Sequence, residues 1–397
     1  MKFIDFFSGV GGFTRGLELA GHECIGHCEF DKFAEASYRA MHTATDEQLK
    51  HLASLPKHKR QKEILKDEYL NGEWYSNDVR AVNVSNVPRA DCWTFGAPCQ
   101  DFSIAGRRAG LEGERSSLVR EIFRILEETE EEDKPTWLIY ENVKGMLSSN
   151  RGLDFLSILS EMDRLGYDAE WQIVNSRWYV PQNRERVYVV GHYRGRSRCQ
   201  VFPVTRDGGT NNRKSIVQEI SNNFAVDKSR NAPRKIDVAN CISARGDRGI
   251  SNRRAEGTAI AVPIITPFRS KKRQNGQLCK ENGEETFTLT AQDEHGIAID
   301  IKALSSKTRG QPIRKGCAAT LDHNCNQAVI AEKAVWSEKY NCYLAIRKLT
   351  PKECFRLQGW SDDYFEKAEF VNSDSQLYKQ AGNGVTVNVV KEIGERL

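Results

Sequence analysis

The residue best placed to do chemistry is Cys99, in Gly96-Ala-Pro98-Cys99-Gln100-Asp-Phe-Ser103. It follows the apolar run Ala90 to Phe95, so its thiol stands just past a strand end on a loop whose freedom Pro98 limits. Most of the other cysteines read as small buried hydrophobes; a loop position between Pro and Gln makes Cys99 a candidate nucleophile. Glu141 directly follows Trp137-Leu-Ile-Tyr140. A carboxylate there is costly to bury alone, so it is expected to meet a proton or a base edge. Arg184 and Arg186, in Val180-Pro-Gln182-Asn-Arg184-Glu-Arg186, would share a face if a strand has begun there, with a surface salt-bridge ladder as the alternative.

A second set suggests a cofactor. Asp5-Phe-Phe7-Ser-Gly9-Val-Gly11-Gly12-Phe13 lies between a strand pattern and a helix pattern, where glycines permit a tight turn and let a ligand approach backbone. The next strand ends at Glu29, 20 residues beyond Gly9, where a carboxylate can accept ribose hydroxyls. Asp78 follows Trp74 to Asn77 near the third strand end, on the same rim. Together these indicate an adenosine-bearing cofactor without saying which. Gly106, Gly110 and Gly113, set among Arg107, Arg108, Glu112 and Arg115, have the composition of a lid. A metal is not expected. Position 102 is Phe, so the second thiolate of a zinc deaminase motif is missing, and His22, Cys24, His27 and Cys28 have no matching distant pair.

The elements that position these groups are legible as short apolar runs: Lys2 to Phe7, Glu23 to Cys28, Ala90 to Phe95, Thr136 to Tyr140, Trp171 to Val174 and Arg186 to Val190. Helical periodicity at Phe13 to Ala20 and Leu118 to Glu127 lies between them, which predicts an α/β unit with a doubly wound, mostly parallel sheet. Residues 45 to 75 read as a solvated helical excursion. After Gly191 the texture turns rich in Gly, Asn, Ser and Arg, predicting a smaller β-rich and loop-rich region. Three loosely similar patches there, beginning at Asn240, Phe287 and Ala318, suggest hairpin-like units.

Charge separates the same two regions. Residues 195 to 340 carry 25 Lys+Arg against 15 Asp+Glu, leaving 33 against 39 elsewhere. A regional excess of positive charge is the footprint of a polyanionic partner. With 397 residues, 39% hydrophobic and 28% charged, the chain has the composition of a two-domain globular protein. Its longest uncharged stretch, Gly257 to Phe268, has 12 residues, too short for a spanning helix, so no membrane association is expected. Asp5 comes too early for a secretory segment, and eleven irregularly spaced cysteines suit free thiols in a reducing cytoplasm.

Six motifs occur in order: Phe6-Phe7-Ser-Gly9-x-Gly11-Gly12, Gly96-x-Pro98-Cys99-Gln100, Glu141-Asn142-Val143, Gln182-x-Arg184-x-Arg186, Arg347-x-Leu349-Thr350-Pro351-x-Glu353 and Gly382-Asn383-Gly384-Val385. In this order they resemble the bacterial and phage DNA (cytosine-5) methyltransferases over nearly the whole chain. The resemblance implies a Rossmann-like methyltransferase fold using S-adenosylmethionine, with a discontinuous catalytic domain at 1–194 plus 374–397, a target-recognition domain at 195–345 and a hinge at 346–373.

It further implies that Phe7 stacks on adenine, that Gly9, Gly11 and Gly12 admit the methionine moiety, and that Glu29 and Asp78 meet the ribose and the adenine amino group. Pro98, Asn383 and Val385 would complete the cofactor side. Cys99 would add to C6 of a flipped cytosine, Glu141 would engage N3, and Arg186 with Arg184 would bind O2. Gln100 and Ser103 belong to the loop that would fill the vacated stack. The implied partner is double-stranded DNA bound by a cytoplasmic monomer in a bacterial or phage-infected cell, with a cognate restriction endonuclease as a possible companion. An amino-group methyltransferase is disfavoured because no two prolines adjoin. A tRNA cytosine-5 methyltransferase of the same fold and a catalytically idle DNA-binding homologue stay open.

Overall fold

The computed structural model describes residues 1–97, 118–196, 200–205 and 349–397, and between 224 and 348 the backbone of six strands. Strands β1 (Lys2–Phe6), β2 (Glu23–Cys28), β3 (Trp74–Ser76), β4 (Cys92–Phe95), β5 (Trp137–Val143), β6 (Tyr167–Asn175) and β7 (Glu185–Tyr193) form one sheet in the order β3-β2-β1-β4-β5-β7-β6. The first five run parallel, while β7 is antiparallel to both β5 and β6. Helices α1 (Gly12–Leu19), α2 (Lys32–Tyr38), α3 (Asp46–Ser54), α4 (Lys57–Ile64), α5 (Leu118–Glu128) and α6 (Leu153–Arg164) are interspersed with these strands. The C-terminal part adds α7 (Pro351–Leu357), α8 (Asp362–Val371), α9 (Asp374–Asn383) and α10 (Val387–Gly394).

Alternation along each strand builds two cores. Ile4, Phe6, Trp93, Phe95, Leu138, Tyr140, Val187 and Val189 pack with α5 and α6 on one face. Phe3, Cys92, Trp137, Ile139, Tyr188 and Val190 pack with α1 and α10 on the other. Burial on both faces is why these strands read as continuous apolar runs. At Gly16 a Cβ would fall 2.5 Å from Val390 Cβ, so the missing side chain lets α10 lie against α1. The last helix of the chain therefore completes the unit that the first helix begins.

The excursion at 45–75 is helical, as its polarity suggested, but has an apolar inner face. Thr45 and Gln48 form a capping box that starts α3. Leu52, Ile64 and Tyr69 bury themselves with Ala36, Ala40 and Val371, clamping the excursion between α2 and α8. Its lysines face outward.

A second sheet holds β8 (Phe224–Asp227), β9 (Arg234–Lys235), β10 (Thr258–Ile265), β11 (His295–Gly296), β12 (Val335–Ser337) and β13 (Cys342–Lys348), in the order β12-β13-β10-β8-β9 with β11 on β10. Every pairing in it is antiparallel. The three similar patches starting at Asn240, Phe287 and Ala318 lie outside the described residues. Among the described residues no helix is long and apolar enough to cross a membrane.

Candidate active site

Because β1 to β5 are parallel, their carboxyl ends share one rim, and the strand order reverses at β1 and β4, where doubly wound sheets hold ligands. The turn after β1 is wound tightly: Phe7, Gly9 and Gly11 take φ values of 57°, 58° and 82°. A left-handed Phe is costly, and such strain persists where the surroundings impose it, often at functional sites. Ser8 N–H donates to Cys28 O at 3.1 Å and Gly11 N–H to Ser8 O at 2.8 Å. Beneath the turn, buried Asp5 accepts from Thr14 N–H and both the Thr14 and Thr94 hydroxyls, tying β1, α1 and β4 together. Burial pushes its carboxyl up to about 6 against those hydrogen bonds.

Glu29, at the end of β2, faces this turn. Its Oε2 accepts from Gly9 N–H at 2.8 Å and its Oε1 from Asp31 N–H at 2.7 Å. Burial raises its carboxyl to about 7, opposed by those two backbone donors. Asp78 caps the short turn Val79–Ala81 and is paired with Arg80 at 2.7 Å, whose hydrogen bonds hold the carboxyl below its usual range. Beside Gly9 a Cβ would meet nothing within 4 Å, and the buried Ser8 hydroxyl has no hydrogen-bond partner among the described residues. Open space next to a left-handed glycine and an orphaned hydroxyl suit a ligand carrying both backbone-sized and polar parts. Sequence reasoning passed over Phe30, 73% exposed directly after Glu29. The available signal was a large apolar residue just beyond a strand end.

At the next two strand ends the chemistry-bearing side chains converge. Glu141 Oε1 lies 3.0 Å from Arg186 Nε; the contact is an ion pair, off the line of a hydrogen bond. A Cβ on Gly96 would come 3.5 Å from Glu141 Oε2, 3.7 Å from Phe13 and 3.9 Å from Val385. The backbone at Gly96 thus runs close beside the carboxylate. Asn142, also missed as a functional candidate, donates through Nδ2 to the Tyr140 hydroxyl at 2.6 Å and reaches Ala97 O at 3.5 Å, anchoring the last described residue before that loop.

The two arginines part company. The strand begins at Glu185, so Arg184 precedes it. It is buried and donates to Gly382 O at 3.2 Å and Gly384 O at 2.8 Å. Those carbonyls flank exposed Asn383, at the end of α9, and precede half-buried Val385. Val385 O lies 2.8 Å from where a Gly12 Cβ would stand, so the last motif touches the first. Pro98, Cys99, Gln100 and Ser103, with the expected lid through residue 117, lie outside the described residues, as does the Arg347 side chain. Among the described residues no cluster of three or more His, Cys, Asp or Glu could hold a metal.

A doubly wound sheet of this kind is the fold of the S-adenosylmethionine-dependent methyltransferases. Solved structures of the Dnmt2 methyltransferase of S. pombe and the methyltransferase EhMeth of Entamoeba histolytica both superpose with a TM-score of 0.54, at 14% and 16% identity, covering 99% of this chain and 96% of theirs. More specifically, the chain belongs to the C-5 cytosine-specific DNA methylase family, whose profile matches residues 1–59 and 44–397, and is an enzyme of the DNA (cytosine-5-)-methyltransferase type. It is 26% identical to the orphan methyltransferase M.SPRI of Bacillus phage SPR, over all of this chain and 97% of that protein. It is 28% identical to the type II methyltransferase M.HhaI of Haemophilus parahaemolyticus, over 99% of this chain and 93% of that one.

Proposed function

We propose that the protein methylates C5 of a cytosine flipped out of specific double-stranded DNA sites, through a covalent bond from Cys99 to C6. The observation that carries this reading is the Glu141–Arg186 pair at the rim, beside Gly96, three residues before Cys99 in the sequence. C5 is a poor nucleophile in the intact ring. Addition of a thiolate to C6 makes C5 enamine-like, and the step balances if N3 gains a proton or a strong hydrogen bond as the sulfur electron pair enters. Glu141 engages N3 and the exocyclic amine. Arg186 engages O2 and favours the thiolate of Cys99. After substitution, loss of the C5 proton drives out the thiolate and frees the product.

S-adenosylmethionine, when bound, supplies an electrophilic methyl group. The turn from Phe7 through Gly9, Gly11 and Gly12 holds its methionine and adenine parts, Glu29 accepts the ribose hydroxyls, and Asp78 takes the adenine amino group. Phe30 offers a second ring, Asn383 and Val385 lie toward the remaining side, and Pro98 would complete it. Arg184 acts on this site through the Gly382–Gly384 backbone.

C6 is shielded within a duplex, so the base must leave the stack, with Gln100 and Ser103 on the loop that replaces it. Residues 1–194 with 374–397 form the catalytic unit, 346–373 the hinge, and the basic segment 195–345 reads flanking bases in the major groove. The relatives named as type II and orphan enzymes support a role in restriction-modification or phage self-protection inside a bacterial cell. In this reading the enzyme acts as a monomer, with or without a cognate endonuclease.

The test is a duplex with 5-fluorocytosine at the modified position, identified beforehand by bisulfite sequencing of DNA from expressing cells. With S-adenosylmethionine it should trap an adduct on the peptide containing Cys99, and Cys99→Ser should bind the duplex without trapping. Methylation of tRNA but not duplex DNA, or an adduct elsewhere, would overturn the assignment.

A further inference from the structure

After α2 the chain leaves α-helical register, and Arg39–Thr43 is a single π-helical stretch. Such stretches are rare and recur at functional sites. This one places the Tyr38 and His42 rings 4.7 Å apart and sets the buried His42 ring against the glycine turn. His42 Nε2 lies 3.1 Å from Val10 O. A carbonyl only accepts, so Nε2 bears the proton and donates. The imidazole also occupies the space where a Cβ on Gly11 would stand, so the ring and the left-handed glycine, with φ of 82°, require each other.

The other ring nitrogen supports the same tautomer. Nδ1 is buried without a hydrogen-bond partner among the described residues, and the nearest carboxylate oxygen, on Glu18, is 3.9 Å away. Burial drives the imidazole down to about 3, with the Val10 carbonyl opposing. Trp360 at 6.0 Å and Tyr364 at 5.5 Å close the ring in. An imidazole so enclosed has one polar task left, the contact with Val10.

We infer that His42 is a positioning residue for the cofactor turn: by donating to Val10 O and backing Gly11 it holds the Phe7 to Gly12 backbone in its binding-competent form. The inference rests on the reading that this turn binds S-adenosylmethionine. Losing the donor lets the turn relax, which weakens cofactor binding more than it slows a turnover that has already begun.

The experiment is calorimetric titration of the full chain with S-adenosylhomocysteine, alongside steady-state kinetics with S-adenosylmethionine. His42→Phe should weaken binding about tenfold with kcat within about twofold, and His42→Gln, whose amide can reach the same carbonyl, should recover most of the loss. Should the Phe variant fail to fold, Gln against the shorter Asn carries the same comparison. A folded Phe variant that binds like wild type, or a Gln variant no better than Phe or Asn, overturns the inference alone. A wild type that binds neither molecule overturns the cofactor reading, and this inference with it.

Discussion

Arg184 and Gly384 are joined by a hydrogen bond of 2.8 Å from Nη2 to the backbone carbonyl, which ties the strand-entry motif to the turn near the C-terminus. Arg186, two residues on, instead meets Glu141 at 3.0 Å. The two arginines of one motif therefore do different jobs. Arg184→Ala should cost about 2–4 kcal/mol of stability by leaving the Gly382 and Gly384 carbonyls without donors, with kcat little changed. Arg186→Ala should also lower the urea midpoint, because buried Glu141 loses its counter-charge, and should in addition cut kcat at least about a hundredfold. Equal losses of kcat in the two folded variants would contradict this division.

The Gly12–Val385 approach makes a second prediction. A Cβ at Gly12 would sit 2.8 Å from Val385 O, a backbone atom that cannot swing away. Gly12→Ala should cost about 1–3 kcal/mol by overpacking and weaken S-adenosylhomocysteine binding as the turn shifts. Wild-type stability and affinity in this variant would show that the two segments separate freely.

Glu29 sets an expected pH dependence of binding. Its carboxyl is raised to about 7 by burial, so near and below that pH it is substantially protonated in the free protein. If ribose hydroxyls prefer the carboxylate, cofactor affinity should climb as pH rises through about 7, by no more than about tenfold per pH unit, and then level off. Glu29→Gln should bind more weakly at pH 8 and show a flat profile. A wild-type profile already flat between pH 6 and 8 would remove Glu29 from the linkage.

Stability should have its own pH dependence, centred on a buried charge cluster. His27 Nδ1 lies 2.6 Å from Glu73 and Nε2 lies 2.9 Å from Glu35, which Arg39 also engages. Burial alone would lower His27, but the two carboxylates outweigh it and hold the imidazolium to about 9. Its folded value stands above the ordinary 6.5, so its contribution is complete below pH 6.5 and lost as pH rises through 9, on the order of 3 kcal/mol. Urea midpoints of wild type should fall across that window more steeply than those of Glu73→Gln. Parallel curves would refute the linkage.

How much of this was legible follows from which interactions are local. The glycine turn, Glu29 just past β2 and Glu141 are each announced by an apolar run and what interrupts it, so their places near the rim were readable; that β5 runs on through Glu141 to Val143, pairing with β7, was not. The helical excursion at 45–75 was also readable, but its clamp on α2 and α8 was not, since Leu52, Ile64 and Tyr69 find Ala36 and Val371 only after folding. The π-helical stretch at Arg39–Thr43 left no mark that composition could reveal.

The sequence by itself determined the order of the chemical groups and the alternation of strands and helices, because strand and helix periodicity and turn chemistry act over a few residues. Tertiary structure alone decided that Arg184 reaches Gly384 while Arg186 reaches Glu141, and that His42 backs Gly11. Those pairings depend on packing α10 against α1 and on burying polar atoms where a partner must be found, and both are properties of the closed chain rather than of any segment.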